Sequence, residues 1–251
     1  MGDIPVPSGH EEACRCGCVP PGMMSMFQMA DLRAERRKEE MQFQEIILSR
    51  VVSVDSSYVS MALNDLNLGR IFLNSFTFVA SSLVTLHLDH NNFKEIPFGL
   101  FSIVHNLRDL ALHNNVLMAL PSDIGKLQQL QELRVDNNIL MSLPTELGDC
   151  KQLTLLHLDG NKNLSEIPNS IGDLPTLHHI LMVDTGVTRL PMSMHRCLSL
   201  EFIVFDEESW IEPPVEVMFG GGDAIRQYLI STSHETQTTR TQDSNNSKNI
   251  S

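Results

Sequence analysis

The chain has 251 residues, of which 42% are apolar, 6% aromatic and 20% charged, and its formal net charge is -13 at pH 7. This composition is typical of a soluble globular protein, and the lack of any run of about 18 apolar residues argues against a membrane span. The negative charge excludes proteins that bind nucleic acid backbones, because those contacts need clustered lysine and arginine.

Residues 1–27 mix proline, glycine, methionine and cysteine without periodicity, which predicts a flexible leader. The leader carries a CxCxC cluster of Cys14, Cys16 and Cys18. Such thiols are candidates for S-palmitoylation or for a soft metal, although exposed reduced thiols are the simplest interpretation because the second ligand pair of a zinc site is missing. The odd total of five cysteines and the lack of a secretory signal predict a cytoplasmic protein, peripherally membrane-bound only if these cysteines are lipidated.

Residues 28–57 are predicted to form an N-terminal capping helix. Their first half is dominated by charges between Arg33 and Glu40, and their second half places Phe43 and Ile47 on one helix face. Such a face can cover the open end of the repeats that follow. A coiled coil or an amphipathic membrane helix is a weaker interpretation, because the apolar pattern covers only about two turns.

A pattern of leucines then returns at a nearly constant interval. The phrase LxxLxLxxN begins, for example, at Leu83 and ends at Asn91. Equivalent leucines open six repeats, with gaps of 24, 23, 23, 24 and 23 residues, at Leu83, Leu107, Leu130, Leu153, Leu177 and Leu200. A degenerate first copy starts near Tyr58. A fixed period in this range predicts a solenoid in which each copy packs only against its neighbours.

Each part of the period has a structural role that the residue types predict. Leu133 and Val135 alternate with Arg134, which predicts a short strand with leucine and valine inward and arginine outward. Asn138 follows where the chain leaves the strand, and its amide can satisfy backbone groups that would otherwise be buried without partners. A proline such as Pro144 then fixes φ and begins a helical or turn segment that leads to the next strand.

The segment that ends at Leu229 is predicted to cap the C-terminal end of the array. Residues 220–222 are glycines before a helix, but no Walker lysine and serine follow, whereas Ile225 and Leu229 are spaced to pack on the last repeat. The repeats and this cap define a domain over residues 58–229. Residues 230–251 are rich in serine, threonine, glutamine and asparagine, which predicts a disordered polar tail.

The repeated phrases LPSDIGKLQQLQELRVDNN, LPTELGDCKQLTLLHLDGN and IPNSIGDLPTLHHILMVDT resemble the intracellular leucine-rich repeat proteins of the Ras-suppressor, scribble and plant Ras-group-related type. The closing PPVEVMFGGGDAIRQYL is similar to terminal caps in such proteins, so the resemblance covers about residues 58–229. It implies an α/β leucine-rich repeat solenoid that is curved, with short parallel strands on the concave face, short helices or turns on the convex face, and caps at both ends. It also implies a cytoplasmic, non-catalytic protein.

The outward positions of the predicted strands define a candidate protein-binding surface on the concave face. They combine an acidic, histidine-bearing half with a half that exposes apolar side chains, a mixture typical of an interface. The predicted binding residues are His87, Asp89, Asp109, His113, Glu132, Arg134, Asp136, Leu155, His157, Asp159, His179, Leu181 and Phe202. A metal bound by His113 with Asp89 and Asp136 is disfavoured, because separate strands give no preset tetrahedral group. We therefore predict no metal site and no cofactor.

The sequence has no nucleophile elbow, HExxH motif or phosphate loop, which predicts that the protein is not an enzyme. We expect a monomeric adaptor or scaffold in intracellular signalling that binds another protein, with a small GTPase, a kinase or a phosphatase component as candidates. A regulatory or targeting subunit of an enzyme such as a protein phosphatase or a ubiquitin ligase is the alternative. A basic, or mixed basic and apolar, partner would complement the acidic concave surface.

Overall fold

The structure is a computed structural model that describes the backbone of residues 26–53 and 59–246, and the side chains of residues 32–51 and 59–233. The leader cysteines, with the lipidation or metal binding considered for them, lie outside the described residues. Within residues 26–53 and 59–246, no helix combines the length and the apolar character needed to cross a bilayer.

The first helix, α1, runs from Met26 to Arg50 and crosses the boundary between two compact units, of which the first ends at Gln42 and the second begins at Phe43. In the first unit the described side chains are exposed or half-buried, as their many charges require. In the second unit, Phe43 is only 3% exposed, and its ring centre lies 5.5 Å from that of Phe72. The C-terminal turns of α1 therefore belong to the apolar core of the second unit.

Eight strands form one sheet in the order of the chain, and among the described strands every pair from β2 to β8 is parallel. The strands are β1 (Val51–Ser53), β2 (Val59–Ala62), β3 (Leu83–His87), β4 (Asp109–Ala111), β5 (Glu132–Arg134), β6 (Leu155–His157), β7 (His179–Leu181) and β8 (Phe202–Val204). This arrangement confirms the predicted stack of short parallel strands.

The predicted helix over residues 28–57 is wrong at its C-terminal end. β1 follows α1 directly and runs antiparallel to β2, with Val51 opposite Met61 and Val52 opposite Ser60. Valine loses side-chain freedom in a helix and packs well on a pleated sheet, so the pair of valines favours the strand. The sheet thus begins one strand earlier than the leucine period alone predicts.

Short helices connect the strands and stack on one another from repeat to repeat. They are α2 (Leu100–Ile103) and the 3-10 helices Leu73–Phe76, Ser122–Lys126, Thr145–Asp149, Asn169–Asp173 and Met192–Arg196. The last four each follow a proline, and for Pro121 and Pro144 the φ angles are -71° and -67°. These angles suit the entry to a helix, which confirms the predicted role of the prolines.

The asparagine that ends each LxxLxLxxN phrase is bonded to the backbone of its own and the preceding repeat. Asn138 Nδ2 donates to the carbonyl oxygens of Leu112 and Val135, both at 3.0 Å, and its Oδ1 accepts from the Leu117 N–H at 3.0 Å. Asn91, Asn115 and Asn161 make equivalent bonds. Because these backbone groups are buried, an amide that both donates and accepts is the side chain they require.

Two further helices close the described chain, α3 (Val215–Phe219) and α4 (Gly221–Asn246). Ile225 and Leu229 are 0% and 1% exposed within the same apolar core as the repeats. The prediction of disorder from residue 230 differs from the structure, in which α4 continues to Asn246. Once the first turns are fixed by packing, each added residue gains a backbone hydrogen bond without a new nucleation cost.

Candidate interaction face

The parallel register aligns the outward side chains of the strands in two rows. One row is Thr85, Asp109, Glu132, Leu155, His179 and Phe202, and the other is His87, Ala111, Arg134, His157, Leu181 and Val204. The residues between them, such as Leu133 and Leu156, are 0% exposed. Arg134 and His157 keep 39% and 22% of their side chains exposed, so the predicted alternation of inward and outward positions is confirmed.

A third row lies immediately after the strands and consists of Asp89, His113, Asp136, Asp159, Val183 and Asp206. Backbone bonds keep this row aligned, because the N–H of His90 donates to the His113 carbonyl at 3.0 Å and the N–H of Asn114 donates to that of Asp136 at 3.0 Å. We call the three rows together the sheet face. All of the predicted binding residues lie on it.

Carboxylates dominate the half of the sheet face that β3, β4 and β5 provide. The guanidinium of Arg134 donates to Glu132 Oε1 at 2.5 Å, and this bond raises the pKa of Arg134. His157 Nε2 lies 3.7 Å from the same oxygen. The Asp109 carboxylate, 3.5 Å from His87 Nε2, raises the pKa of His87. Since Arg134 is already paired with Glu132, the surplus charge of this half is negative.

Asp159 occupies the third row at the middle of the sheet face. Its Oδ1 accepts the Val183 N–H at 2.7 Å. Partial burial raises the pKa of Asp159, with smaller contributions in the same direction from the charges of Asp136 and Asp206. The carboxylate therefore has a structural acceptor role in addition to its charge.

The half of the sheet face that β6, β7 and β8 provide carries its large apolar side chains. Leu155, Leu181 and Val183 are half-buried, whereas Phe202 and Val204 are 45% and 39% exposed. The Phe202 ring stacks on the imidazole of His179, with ring centres 4.1 Å apart. The stacking fixes the orientation of the exposed ring.

Asp89 lies on the sheet face but is the predicted binding residue that its neighbours cover. It was expected to face outward, but only 7% of its surface is exposed, because His90 and His113 lie beside its carboxylate. Sequence reasoning also missed His90, which falls one residue beyond the alternating pattern and adopts a left-handed backbone with φ of 52°. A signal was available, because neighbouring repeats place Asn114 and Asn137 at this position, and asparagine is enriched in that conformation.

Asp89, His90 and His113 form a group whose nitrogen and oxygen atoms lie within 4.8 Å of one another. Asp89 Oδ2 is 3.0 Å from His90 Nδ1 and 3.6 Å from His113 Nε2. The interaction with Asp89 raises the pKa of His90. Asp136, which the sequence analysis considered with His113 and Asp89, is not a member of this group.

Residues 81–140 match a family model described as leucine rich repeat, and residues 152–174 match a second leucine rich repeat model. A probable glycoprotein hormone G-protein coupled receptor of Anthopleura elegantissima is 26% identical to this chain over 210 residues, which cover 76% of the chain and 19% of the receptor. Together these matches show that the chain carries leucine-rich repeats.

Solved structures support the same fold. The leucine-rich repeat ectodomain of the plant membrane receptor kinase GASSHO1/SCHENGEN3 from Arabidopsis thaliana, in complex with CASPARIAN STRIP INTEGRITY FACTOR 2, is similar with a TM-score of 0.51 and 32% identity, over 58% of this chain and 18% of that chain. The leucine-rich repeat domain of APL1B has a TM-score of 0.50 and 19% identity, over 72% of this chain and 48% of that chain. The matched part is thus about a fifth of either receptor, at 19% and 18%.

The prediction of a cytoplasmic protein is wrong on these comparisons. The similar proteins are a receptor and the ectodomain of a membrane receptor kinase, which point to an extracellular or membrane setting. The prediction rested on a missing secretory signal and an odd number of cysteines, and neither observation locates a leucine-rich repeat domain.

Proposed function

We propose that this chain is a non-catalytic recognition module whose sheet face binds a protein partner that carries both basic and apolar side chains. The observation that carries the proposal is the adjacency, on one aligned surface, of unbalanced carboxylates and an exposed aromatic ring. Solenoids commonly bind partners on the extended surface that their repeats create. We assign the chain the role of an adaptor or scaffold.

Electrostatics determine which partners approach this surface. Asp109, Glu132, Asp136 and Asp159 follow one another across three successive repeats, whereas Arg134 is paired with Glu132. A row of carboxylates attracts basic partners over several ångströms and disfavours acidic ones, which sets specificity and the association rate more than affinity.

The apolar half supplies the affinity. Phe202 is held by the His179 ring before any partner binds, so burying it costs little conformational entropy. Aromatic side chains of this kind are enriched among the residues that contribute most to binding. Leu181 and Val204, neighbours in the register, extend the apolar surface in the adjacent row.

The comparisons support recognition in a general sense. The plant receptor ectodomain was solved in complex with CASPARIAN STRIP INTEGRITY FACTOR 2, and its leucine-rich repeats are similar to those of this chain. The finer resemblance to the Ras-suppressor, scribble and plant Ras-group-related type stays a prediction from the repeated phrases. So do the small GTPase, kinase or phosphatase component named as candidate partners.

Selection from a random displayed peptide library on the full chain tests the proposal. We expect the selected peptides to combine lysine or arginine with apolar residues. Asp136→Lys and Phe202→Ser should each weaken binding of these peptides by about tenfold or more, because they remove the attraction and the apolar anchor separately. Asp159 also accepts the Val183 N–H, so a variant at this position should be Asp159→Asn, which removes the charge and keeps an acceptor for that N–H.

Leu198→Ser is the matched control. Leu198 is 73% exposed in the turn before β8, so the substitution removes an apolar side chain that is more exposed than Phe202 but lies away from the sheet face. Binding should be unchanged in this variant. Peptides that bind Asp136→Lys and Phe202→Ser as tightly as the wild type would refute the sheet face as the binding surface.

A further inference from the structure

We propose that Asp89, His90 and His113 bind a divalent transition-metal ion at the edge of the sheet face. The site joins two consecutive repeats, since Asp89 and His90 follow β3 and His113 follows β4. It does not depend on the partner proposed above.

The distances between the three ligand atoms suit a small ion. In a tetrahedral site with bonds of about 2.1 Å, neighbouring ligand atoms lie about 3.4 Å apart. Asp89 Oδ2 is 3.0 Å from His90 Nδ1 and 3.6 Å from His113 Nε2, and all three atoms lie within 4.8 Å of one another. The two separations from the Asp89 oxygen are thus within about 0.4 Å of the tetrahedral spacing, and the distance between the two imidazole nitrogens is at most 4.8 Å.

The surrounding residues hold the ligands in place. The Asn114 Nδ2 lies 3.1 Å from His90 Nε2, the nitrogen that would not bind the metal. Rotation of this amide by about 180° would bring its oxygen to accept the Nε2–H of a metal-bound His90. The two imidazole rings meet edge to face with centres 5.2 Å apart. For His113 this support comes from the ring contact, because its Nδ1 is buried without a hydrogen-bond partner among the described residues.

A contact between His90 and Asp89 is not by itself a sign of metal. Two repeats further on, Asn137 occupies the same left-handed position and its Nδ2 donates to Asp136 Oδ2 at 3.0 Å, which shows that this contact belongs to the repeat. The distinguishing feature is the second imidazole, His113, on the other side of the same Asp89 oxygen.

Two imidazoles and one carboxylate favour zinc, nickel or copper over calcium and magnesium, which prefer all-oxygen ligands. Three protein ligands also leave one coordination position for water or for a side chain of a bound protein.

Titration calorimetry with Zn²⁺ at about pH 7.5, where neutral imidazoles bind metal, tests the site. The full chain is used with Cys14, Cys16 and Cys18 changed to serine, because those thiols could bind zinc themselves. We expect one ion per chain. His90→Asn and His113→Asn should each weaken binding more than about 100-fold, since loss of a ligand exceeds the 10- to 100-fold effect of second-shell changes.

His90→Asn copies the Asn137–Asp136 pair found two repeats further on, so the hydrogen bond and the left-handed backbone are kept while the imidazole is lost. His179→Asn is the control, because His179 faces the single carboxylate of Glu201 at 3.0 Å and should leave zinc binding unchanged. X-ray absorption of the zinc-bound chain should show two imidazole ligands. Unchanged affinity in His90→Asn and His113→Asn, or a spectrum without imidazole, would overturn the proposal.

Discussion

At the scale of single residues, the buried asparagines of the repeats stabilise the fold through their hydrogen bonds to the backbone. Asn138 is 4% exposed and satisfies the carbonyls of Leu112 and Val135 and the N–H of Leu117. Asn138→Ala would leave these buried groups without partners. We expect the free energy of unfolding, measured by urea denaturation, to fall by about 3 kcal/mol or more.

Asn137→Gly is the control for this prediction. Asn137 is exposed, has a φ of 53° that glycine tolerates, and donates through its side chain to the half-buried Asp136 carboxylate. Its substitution should change the free energy of unfolding by less than about 0.5 kcal/mol. Equal losses in the two variants would show that the buried bonds of Asn138 do not stabilise the repeats.

His90 and Cys150 show how far single residues could be predicted. Cys150 stands where the preceding repeat has Leu127, a position that predicts a core residue, and it is 0% exposed with a pKa that burial raises to about 12. His90 was not expected at the sheet face. Its position depends on a left-handed turn, and alternation in a strand gives no information about the residue after the strand.

At the scale of elements, the contact between α4 and the last repeat depends on a glycine. A Cβ atom at Gly222 would collide with the carbonyl oxygen of Leu200. Gly222→Ala should therefore push α4 away from the core that buries Ile225 and Leu229, and we expect several degrees of loss in Tm by calorimetry. Gly69→Ala, where nothing lies within 4 Å of the added Cβ, should leave Tm nearly unchanged. A Tm for Gly222→Ala equal to that of the wild type would contradict this close approach.

The elements that the sequence predicts well are those that the period repeats. Strand positions, the asparagine turns and the helices after Pro121 and Pro144 all recur, so each copy supports the interpretation of the others. The ends of the array have no such support. There the sequence predicted a helix where β1 forms and disorder where α4 continues to Asn246.

At the scale of the whole molecule, the repeat period predicts the arrangement of the sheet face but not the cellular compartment of the protein. Because consecutive parallel strands keep one register, spacing alone places Asp136 beside Asp159 and Leu181 beside Val204. The cytoplasmic location was wrong because no residue pattern in the repeats encodes a compartment.

The measurement that tests the central claim most directly is carboxyl footprinting of the chain alone and with a selected peptide bound. If the sheet face is the binding surface, Asp136 and Asp206 should be labelled less in the complex than in the free chain. The exposed Asp149 and Asp173 on the 3-10 helices should be labelled equally in both. Protection of Asp149 and Asp173, with Asp136 and Asp206 labelled as before, would contradict it.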